Sequence, residues 1–173
     1  MKFTLTVALI AAVFILRGAG FAPPASAAPT LAPLVAYGDW LSARPTASDL
    51  AGRVVVVDVF TFGCYNCKNV APNLRALNRR HDPHLAIVGV HTPETPYETQ
   101  RSNVVTNLAA QGIVWPVAID NAHTLWNAYG IESWPTQLIF DKHGTLRKTI
   151  VGDSQDQALN DAVAQLLAEN VSP

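Results

Sequence analysis

Runs of apolar residues alternate with helical repeats along most of the chain. Residues 53–60 form a run rich in β-branched residues, with Asp58 inside it, and residues 85–90 are apolar throughout. Both patterns are typical of strands buried on both faces of a sheet. Between them, apolar side chains recur at helical spacing at Val70, Leu74 and Leu77. This order predicts a right-handed unit of two parallel strands joined by a helix.

The second half of the chain continues the alternation. Helices are predicted at 95–111 and 122–129, and strands at 115–120, 136–141 and 146–151. The short connection at 142–144 makes the last two strands an antiparallel hairpin. Thr95-Pro-Tyr-Glu98 has the form of a capping box, and Gly112 would end that helix in the left-handed conformation.

The final helix completes the fold prediction. Ser154-Gln-Asp-Gln157 predicts a second capping box, followed by an apolar stripe that includes Leu159, Val163 and Leu166. The summed order predicts an α/β fold, a central mixed sheet with helices on both faces. Residues 37–52 predict an irregular opening in which Trp40 and Leu41 anchor the core and 48–52 form a helical turn.

The N-terminus has the form of a signal peptide. Lys2 precedes an apolar run at 3–16 that is short for a membrane span, and Ala25-Ser-Ala27 is a small-residue cleavage site. We expect a signal peptide at 1–27, a Pro- and Ala-rich linker at 28–36 and one domain at 37–173. The expected location is the periplasm or cell envelope of a bacterium. Arg17 leaves an uncleaved membrane anchor as the alternative.

Charge and cysteine content exclude several classes of function. The formal net charge is -1 and no run of Lys or Arg occurs, so nucleic acid and acidic membrane surfaces are not expected partners. Two cysteines do not make a disulfide-dense scaffold, and the about 145 residues left after the expected cleavage are enough to bury a core without cross-links. The cysteine pair is therefore expected to serve chemistry.

Cys64 and Cys67 form a Cys-x-x-Cys at the predicted junction of strand and helix. The unpaired N–H groups and the dipole of a helix N-terminus favour a thiolate, which is the nucleophile in disulfide exchange. Cys67 lies one helical turn further on, close enough to bond with Cys64. Cys64 can attack a substrate disulfide, and Cys67 can resolve the mixed disulfide.

Two other uses of the pair fit less well. A zinc site needs about four ligands. The histidines nearest in sequence, His81 and His84, follow the predicted helix and are too far from Cys67. A purely structural disulfide would close so short a loop that it adds little stability.

Several segments around the pair resemble a known family. They are Val57-Asp-Val-Phe60, Cys64-Tyr-Asn-Cys67, Pro72, Trp134-Pro-Thr136, and the strings VGVHTPE (88–94), WPVAID (115–120) and LWNAYGI (125–131). With them the chain resembles thioredoxin-fold thiol–disulfide oxidoreductases of the exported TlpA-like branch, close to the thioredoxin-like domain of DipZ-type proteins. The resemblance implies a thioredoxin-like fold in which 95–111 is the TlpA-like helical insertion, and Pro72 the proline that kinks the active-site helix.

The resemblance also implies roles for the central residues. Cys64 would be the nucleophile and Cys67 the resolving cysteine. Asp58 would be a buried carboxylate that accepts the proton of Cys67, directly or through water. The alternative for Asp58 is a structural role, capping a loop or binding a lysine.

Substrate contacts follow from the same resemblance. Pro135 would be a cis-proline facing the dithiol, and the backbone of Trp134 would pair with an extended substrate segment. Tyr65 and Gly63 would border the same surface. The alternative for Trp134 is core packing.

Two departures from the family pattern concern this surface. Gly63 stands where a tryptophan is usual, which should open the surface over Cys64. Val70 stands where many TlpA-like reductants carry an acid, so that acid-assisted mechanism does not transfer. Glu94 could approach from the insertion, although a solvated position is the alternative.

The dipeptide between the cysteines, Tyr65-Asn66, supplies no cation to stabilise a thiolate. Its absence favours a reducing or mid-potential pair.

The expected function is exchange of disulfides with protein substrates, with the cysteine pair as the redox group and no other cofactor. The expected partners are protein disulfides or dithiols and an envelope electron donor such as a membrane thiol–disulfide transporter, and the protein is expected to be a monomer. One alternative is a copper-binding module that uses Cys64 and Cys67 with His91 or His123. A thiol peroxidase is a weaker alternative, because no Thr and Arg pair surrounds one cysteine.

Overall fold

The computed structural model describes residues 28–170 and contains a five-stranded mixed sheet. Its strands are β1 (Val54–Phe60), β2 (Leu85–His91), β3 (Val117–Ile119), β4 (Thr136–Phe140) and β5 (Leu146–Val151), in the spatial order β3-β2-β1-β4-β5. β1 is parallel to β2, β2 is parallel to β3, and β4 is antiparallel to both β1 and β5. The predicted mixed sheet and thioredoxin-like fold are confirmed.

Helices cover both faces of this sheet. They are α1 (Ala32–Ala36), α2 (Ala47–Leu50), α3 (Tyr65–His81), α4 (Arg101–Ala110), α5 (Thr124–Ala128) and α6 (Asp156–Ala168), with a 3-10 helix at Pro96–Thr99. Alternate residues of β1 point to opposite faces. Val56 packs with α3, α4 and α6 in one core, whereas Val57 packs with α1 and α5 in the other. β1 is therefore the strand around which both cores form.

The segment 28–36 is not the linker that its composition predicts. α1 lies within it, and Leu34 is fully buried in the second core. The phenol oxygen of Tyr129 accepts a hydrogen bond from the Leu34 N–H at 3.2 Å and donates one to the Thr30 carbonyl at 3.1 Å. A short Pro- and Ala-rich segment is ordered here because one leucine and two backbone groups find partners in the domain, contacts that local composition does not reveal.

The insertion between β2 and β3 also differs from its prediction. A single helix over 95–111 is replaced by the 3-10 helix and α4, because Gln100 adopts an extended backbone between them. Arg101 then starts α4 and pairs with Asp39 at 2.7 Å, which ties the insertion to the first residues of the domain. Gly112 does have the predicted left-handed conformation, with φ +65.

The predicted capping box at 154–157 is wrong. Ser154 has a left-handed backbone, with φ +60, whereas an N-cap residue needs an extended one. α6 begins at Asp156 after Gln155, which makes no side-chain capping bond. The negative charge of Asp156 in the first turn instead stabilises the helix by interacting with its dipole.

The expected signal peptide at 1–27 lies outside the described residues. Within residues 28–170, no helix is both long and apolar enough to cross a membrane.

Candidate active site

The two cysteines form a disulfide at the N-terminus of α3. β1 ends at Phe60, a turn follows, and Cys64 is the N-cap residue of the helix. The Cys67 N–H donates a hydrogen bond to the Cys64 sulfur at 3.1 Å, so one of the unpaired amides of the helix terminus already faces that sulfur. The Cα atoms are 5.3 Å apart. This is the geometry that a Cys-x-x-Cys redox pair requires.

The two sulfurs differ in access to solvent. Cys64 is half-buried, whereas Cys67 is buried against the core under α3. Tyr65, directly after Cys64, is 77% exposed, which leaves an aromatic ring on the surface beside the disulfide. Of the two cysteines, Cys64 is therefore the one that is accessible from solvent, with Tyr65 beside it.

Asp58 lies in the middle of β1, on the same face of the sheet as Cys67. Val56 and Phe60, its neighbours two residues away, belong to the core that includes Cys67. Asp58 is buried, and Gln137 Nε2 of β4 donates to its Oδ1 at 2.9 Å. Burial raises the pKa of Asp58 to about 6, and the bond from Gln137 lowers it only in part. Asp58 is thus a buried acid that can change protonation near neutral pH.

Trp134 and Pro135 lie in the loop directly before β4. The Trp134–Pro135 peptide is cis, the geometry that the family resemblance implies. Trp134 is half-buried and packs against the same core as Cys64 and Cys67. Its ring contacts that of Trp126 at a tilt of 44° and a centroid distance of 4.4 Å, and its Nε1 donates to the Thr92 carbonyl at 3.0 Å. Core packing, the alternative for Trp134, is therefore observed, and its contact with substrate stays a prediction.

The turn before Cys64 is contacted by Glu98, a residue whose role at the site is not predicted from the sequence. Glu98 of the 3-10 helix is buried, and its Oε1 accepts a hydrogen bond from the Gly63 N–H at 3.1 Å. A methyl group on Gly63 would overlap that oxygen. The expected opening over Cys64 is therefore partly filled by a carboxylate. The glycine in place of a tryptophan was the available signal, because it requires another side chain to fill the space.

The sequence analysis considers positions 70 and 94 as places for an acid near the cysteines. Neither position brings a carboxylate to them. Val70 is buried in the core of α3. Glu94 is exposed. Only its backbone N–H contacts Glu98, donating a hydrogen bond to Oε2 at 2.8 Å. The solvated alternative for Glu94 is therefore the observed one.

The histidines of the copper hypothesis do not join the pair. His91 is fully buried, its Nε2 lies 3.3 Å from the Thr61 hydroxyl, and its ring stacks on Phe62. Burial lowers the pKa of His91 to about 4, partly offset by the negative charge of Glu98. His123 instead contacts Trp126. Among residues 28–170, no three His, Cys, Asp or Glu side chains are grouped to hold a metal ion.

The histidines of the zinc hypothesis lie at the far end of α3. His81 is the last residue of that 17-residue helix, about 25 Å from its start by helical rise, and His84 follows it. Their separation from the cysteines agrees with the sequence-based argument against zinc.

Comparison with known proteins gives the same family as the geometry. The thioredoxin-like family model matches residues 52–146. Protein DipZ of Mycobacterium bovis is 34% identical over 119 residues, which cover 68% of this chain but only 17% of DipZ. Thiol-disulfide oxidoreductase YkuV of Bacillus subtilis is 28% identical over 131 residues, or 75% of this chain and 88% of YkuV.

A solved structure extends the match to the fold. The crystal structure of a thiol-disulfide isomerase from Corynebacterium glutamicum superposes with a TM-score of 0.73 at 25% identity, covering 83% of this chain and 98% of the isomerase. The family model alone spans more than half of the chain. The protein therefore belongs to the thioredoxin-like family.

Proposed function

We propose that this protein reduces disulfides in protein substrates outside the cytoplasm, through the Cys64–Cys67 pair. The observation that carries the proposal is the asymmetry of the disulfide: a half-exposed sulfur on a helix N-terminus is bonded to a buried one. The helix amides favour a thiolate on the sulfur that a partner can reach. The buried sulfur is placed to react only with its neighbour.

The proposed reaction has two steps. The Cys64 thiolate attacks one sulfur of the substrate disulfide, which forms a mixed disulfide and releases the first substrate thiolate. The Cys67 thiolate then attacks Cys64 Sγ, restoring the Cys64–Cys67 disulfide and releasing the second substrate thiolate. Two electrons pass from the protein to the substrate, and a dithiol donor must reduce the pair again.

Asp58 is proposed as the proton acceptor of the second step. It lies on the same sheet face as Cys67, is buried, and has a pKa of about 6. An acid with such a pKa is largely ionised at pH 7 and can take the proton of a thiol of higher pKa. Without that acceptor, Cys67 would have to lose its proton from a buried position.

Substrate binding is proposed for the surface between Tyr65 and the cis-proline loop. The exposed ring of Tyr65 and the half-buried ring of Trp134 supply apolar contacts, and Gly63 itself adds no side chain to this surface. An extended segment of a protein could pair with the backbone of Trp134, as in strand addition. These features favour a protein substrate over a small molecule enclosed in a cavity.

The reducing direction is supported by the residues at the helix N-terminus. Tyr65 and Asn66 carry no cation, so they do not add to the stability of a thiolate on Cys64. A strongly oxidising pair owes its potential to a stabilised reduced form. The electron donor we propose is a membrane thiol–disulfide transporter of the cell envelope.

Serine variants test the assigned roles of the two sulfurs. Cys67→Ser, reduced and mixed with insulin, should accumulate a mixed disulfide at Cys64, because the resolving thiolate is absent. Cys64→Ser is the matched control and should form almost none, because the remaining thiol is buried. Intact mass spectrometry measures both, and equal trapping by the two variants would contradict the assignment.

The same variants test the activity itself. Wild-type protein should reduce insulin with dithiothreitol as the electron donor, and both variants should lose that activity.

The raised pKa of Asp58 should make stability depend on pH. An unfolded aspartate has a pKa of about 4, so between pH 4 and 6 the folded state binds more protons, and folding stability falls as pH rises through this range. Asp58→Asn removes this loss, so the oxidised variant should be more stable than wild type at pH 8 and lose that advantage toward pH 4. Urea unfolding at both pH values measures the difference.

Asp161→Asn, at an exposed position, is the control for that experiment and should leave the free energy of unfolding unchanged at both pH values. Parallel pH curves for wild type and Asp58→Asn would contradict the buried titration. In catalysis, Asp58→Asn should slow release of the mixed disulfide at pH 7 by about a hundredfold, with the defect shrinking at higher pH as Cys67 ionises unaided.

Export is proposed from the basic, apolar and small-residue pattern of residues 1–27. N-terminal sequencing of protein recovered from a bacterial periplasmic fraction should start at Ala28. A start at Met1 on membrane-bound protein would instead support the uncleaved anchor.

A further inference from the structure

The turn that carries the chain into Cys64 is held by side chains of the insertion. The Gly63 N–H donates to Glu98 Oε1 at 3.1 Å. The Phe62 carbonyl accepts a hydrogen bond from Gln111 Nε2 at 3.1 Å, beyond the end of α4. Two backbone groups directly before the nucleophile are thus fixed by residues from opposite ends of the insertion.

Glu98 is bound on both carboxylate oxygens. While Oε1 faces Gly63, Oε2 accepts the N–H groups of Glu94 and Thr95, each at 2.8 Å. Only 4% of its surface is exposed. Burial by itself would raise the pKa of Glu98, but the hydrogen bonds from Thr95, Glu94 and Thr61 outweigh burial and hold the pKa below its usual value. Glu98 is therefore a buried negative charge at neutral pH.

Gly63 and Glu98 depend on each other sterically. A Cβ atom at position 63 would overlap Glu98 Oε1 and lie 3.2 Å from its Cδ. The carboxylate occupies the space beside the turn that a side chain at 63 would need. Both residues together define this side of the disulfide.

We propose that Glu98 is a positioning residue of the redox site: it fixes the turn before Cys64 and, by its charge, disfavours the Cys64 thiolate. The inference rests on the proposed function, because it concerns how the same cysteine pair is tuned. The helix N-terminus stabilises the Cys64 thiolate, whereas the negative carboxylate beside Gly63 destabilises it. A less stable thiolate means a less stable reduced pair, which shifts the equilibrium toward giving electrons away.

The other titratable groups near the site act from different positions. They are Asp58 in β1, Lys68 in α3, His91 at the end of β2, Glu94 in the insertion and Glu132 before the cis-proline loop. His91 is buried with its pKa lowered to about 4, so it is neutral at pH 7. Among the acidic side chains of residues 28–170, Glu98 is the one that hydrogen-bonds to the backbone of 62–64.

The test compares Glu98→Gln with the matched control Glu94→Gln. Both substitutions remove one negative charge from the same segment, but Glu94 is exposed. The pH profile of iodoacetamide alkylation at Cys64 gives the thiolate pKa of each reduced protein. We expect that pKa to fall by about one unit in Glu98→Gln and to stay unchanged in Glu94→Gln.

The equilibrium with glutathione provides a second readout. At a pH above both pKa values, a fall of one unit corresponds to a tenfold change of the equilibrium constant, or about 30 mV toward a more oxidising pair. An unchanged Cys64 pKa in folded Glu98→Gln would overturn the inference. A wild-type pair that glutathione does not oxidise and reduce reversibly would instead contradict the proposed function, so the two failures are distinguishable.

The wild-type protein keeps the inference testable if Glu98→Gln does not fold. The ¹³C resonance of the Glu98 carboxylate should show an inflection at the Cys64 pKa in the reduced protein, because two interacting charges titrate reciprocally. The oxidised protein, in which Cys64 does not titrate, should lack that inflection. Identical titration curves in the two redox states would overturn the charge coupling.

Discussion

The structure depends on the burial of β1 on both faces. All seven of its residues, Val54–Phe60, are buried, and alternate side chains fill two separate cores. The strand pairs in parallel with β2 and antiparallel with β4, so it cannot shift register without exposing one core. Its end fixes where the chain turns into α3, and hence where the disulfide lies. Asp58 is buried in the same strand, and this burial raises its pKa.

The central part of the fold was predictable because its signals are local. The valine run of β1, the helical repeat of α3 and the hairpin of β4 and β5 each appear within a few residues of sequence. The cysteine pair and Trp134-Pro135 were found from motif spacing. α1 was missed because its order comes from Leu34 and Tyr129, which are 95 positions apart in the chain. The capping box at Ser154 was wrong because a left-handed backbone overrode a local preference.

Glu98 shows the limit of motif reasoning at the site itself. Its spacing from Thr95 correctly indicated the start of a helix, and its carboxylate does accept the Thr95 N–H. The same carboxylate also reaches Gly63, 35 residues earlier, and that contact exists only in the folded chain. Gly63 and the buried carboxylate of Glu98 compete for one space, because a Cβ atom at position 63 would overlap Glu98 Oε1. The surface over Cys64 thus differs from its expected form in charge as well as in size.

These features support one central proposal: Cys64 and Cys67 form a reversible redox pair biased toward reduction of its partners. The equilibrium reduction potential of the wild-type pair, measured in glutathione buffers by the fraction of the disulfide, tests this claim most directly. The account predicts one two-electron transition nearer to the about −270 mV of thioredoxin than to the about −120 mV of DsbA. A potential near −120 mV, or no reversible transition, would contradict it.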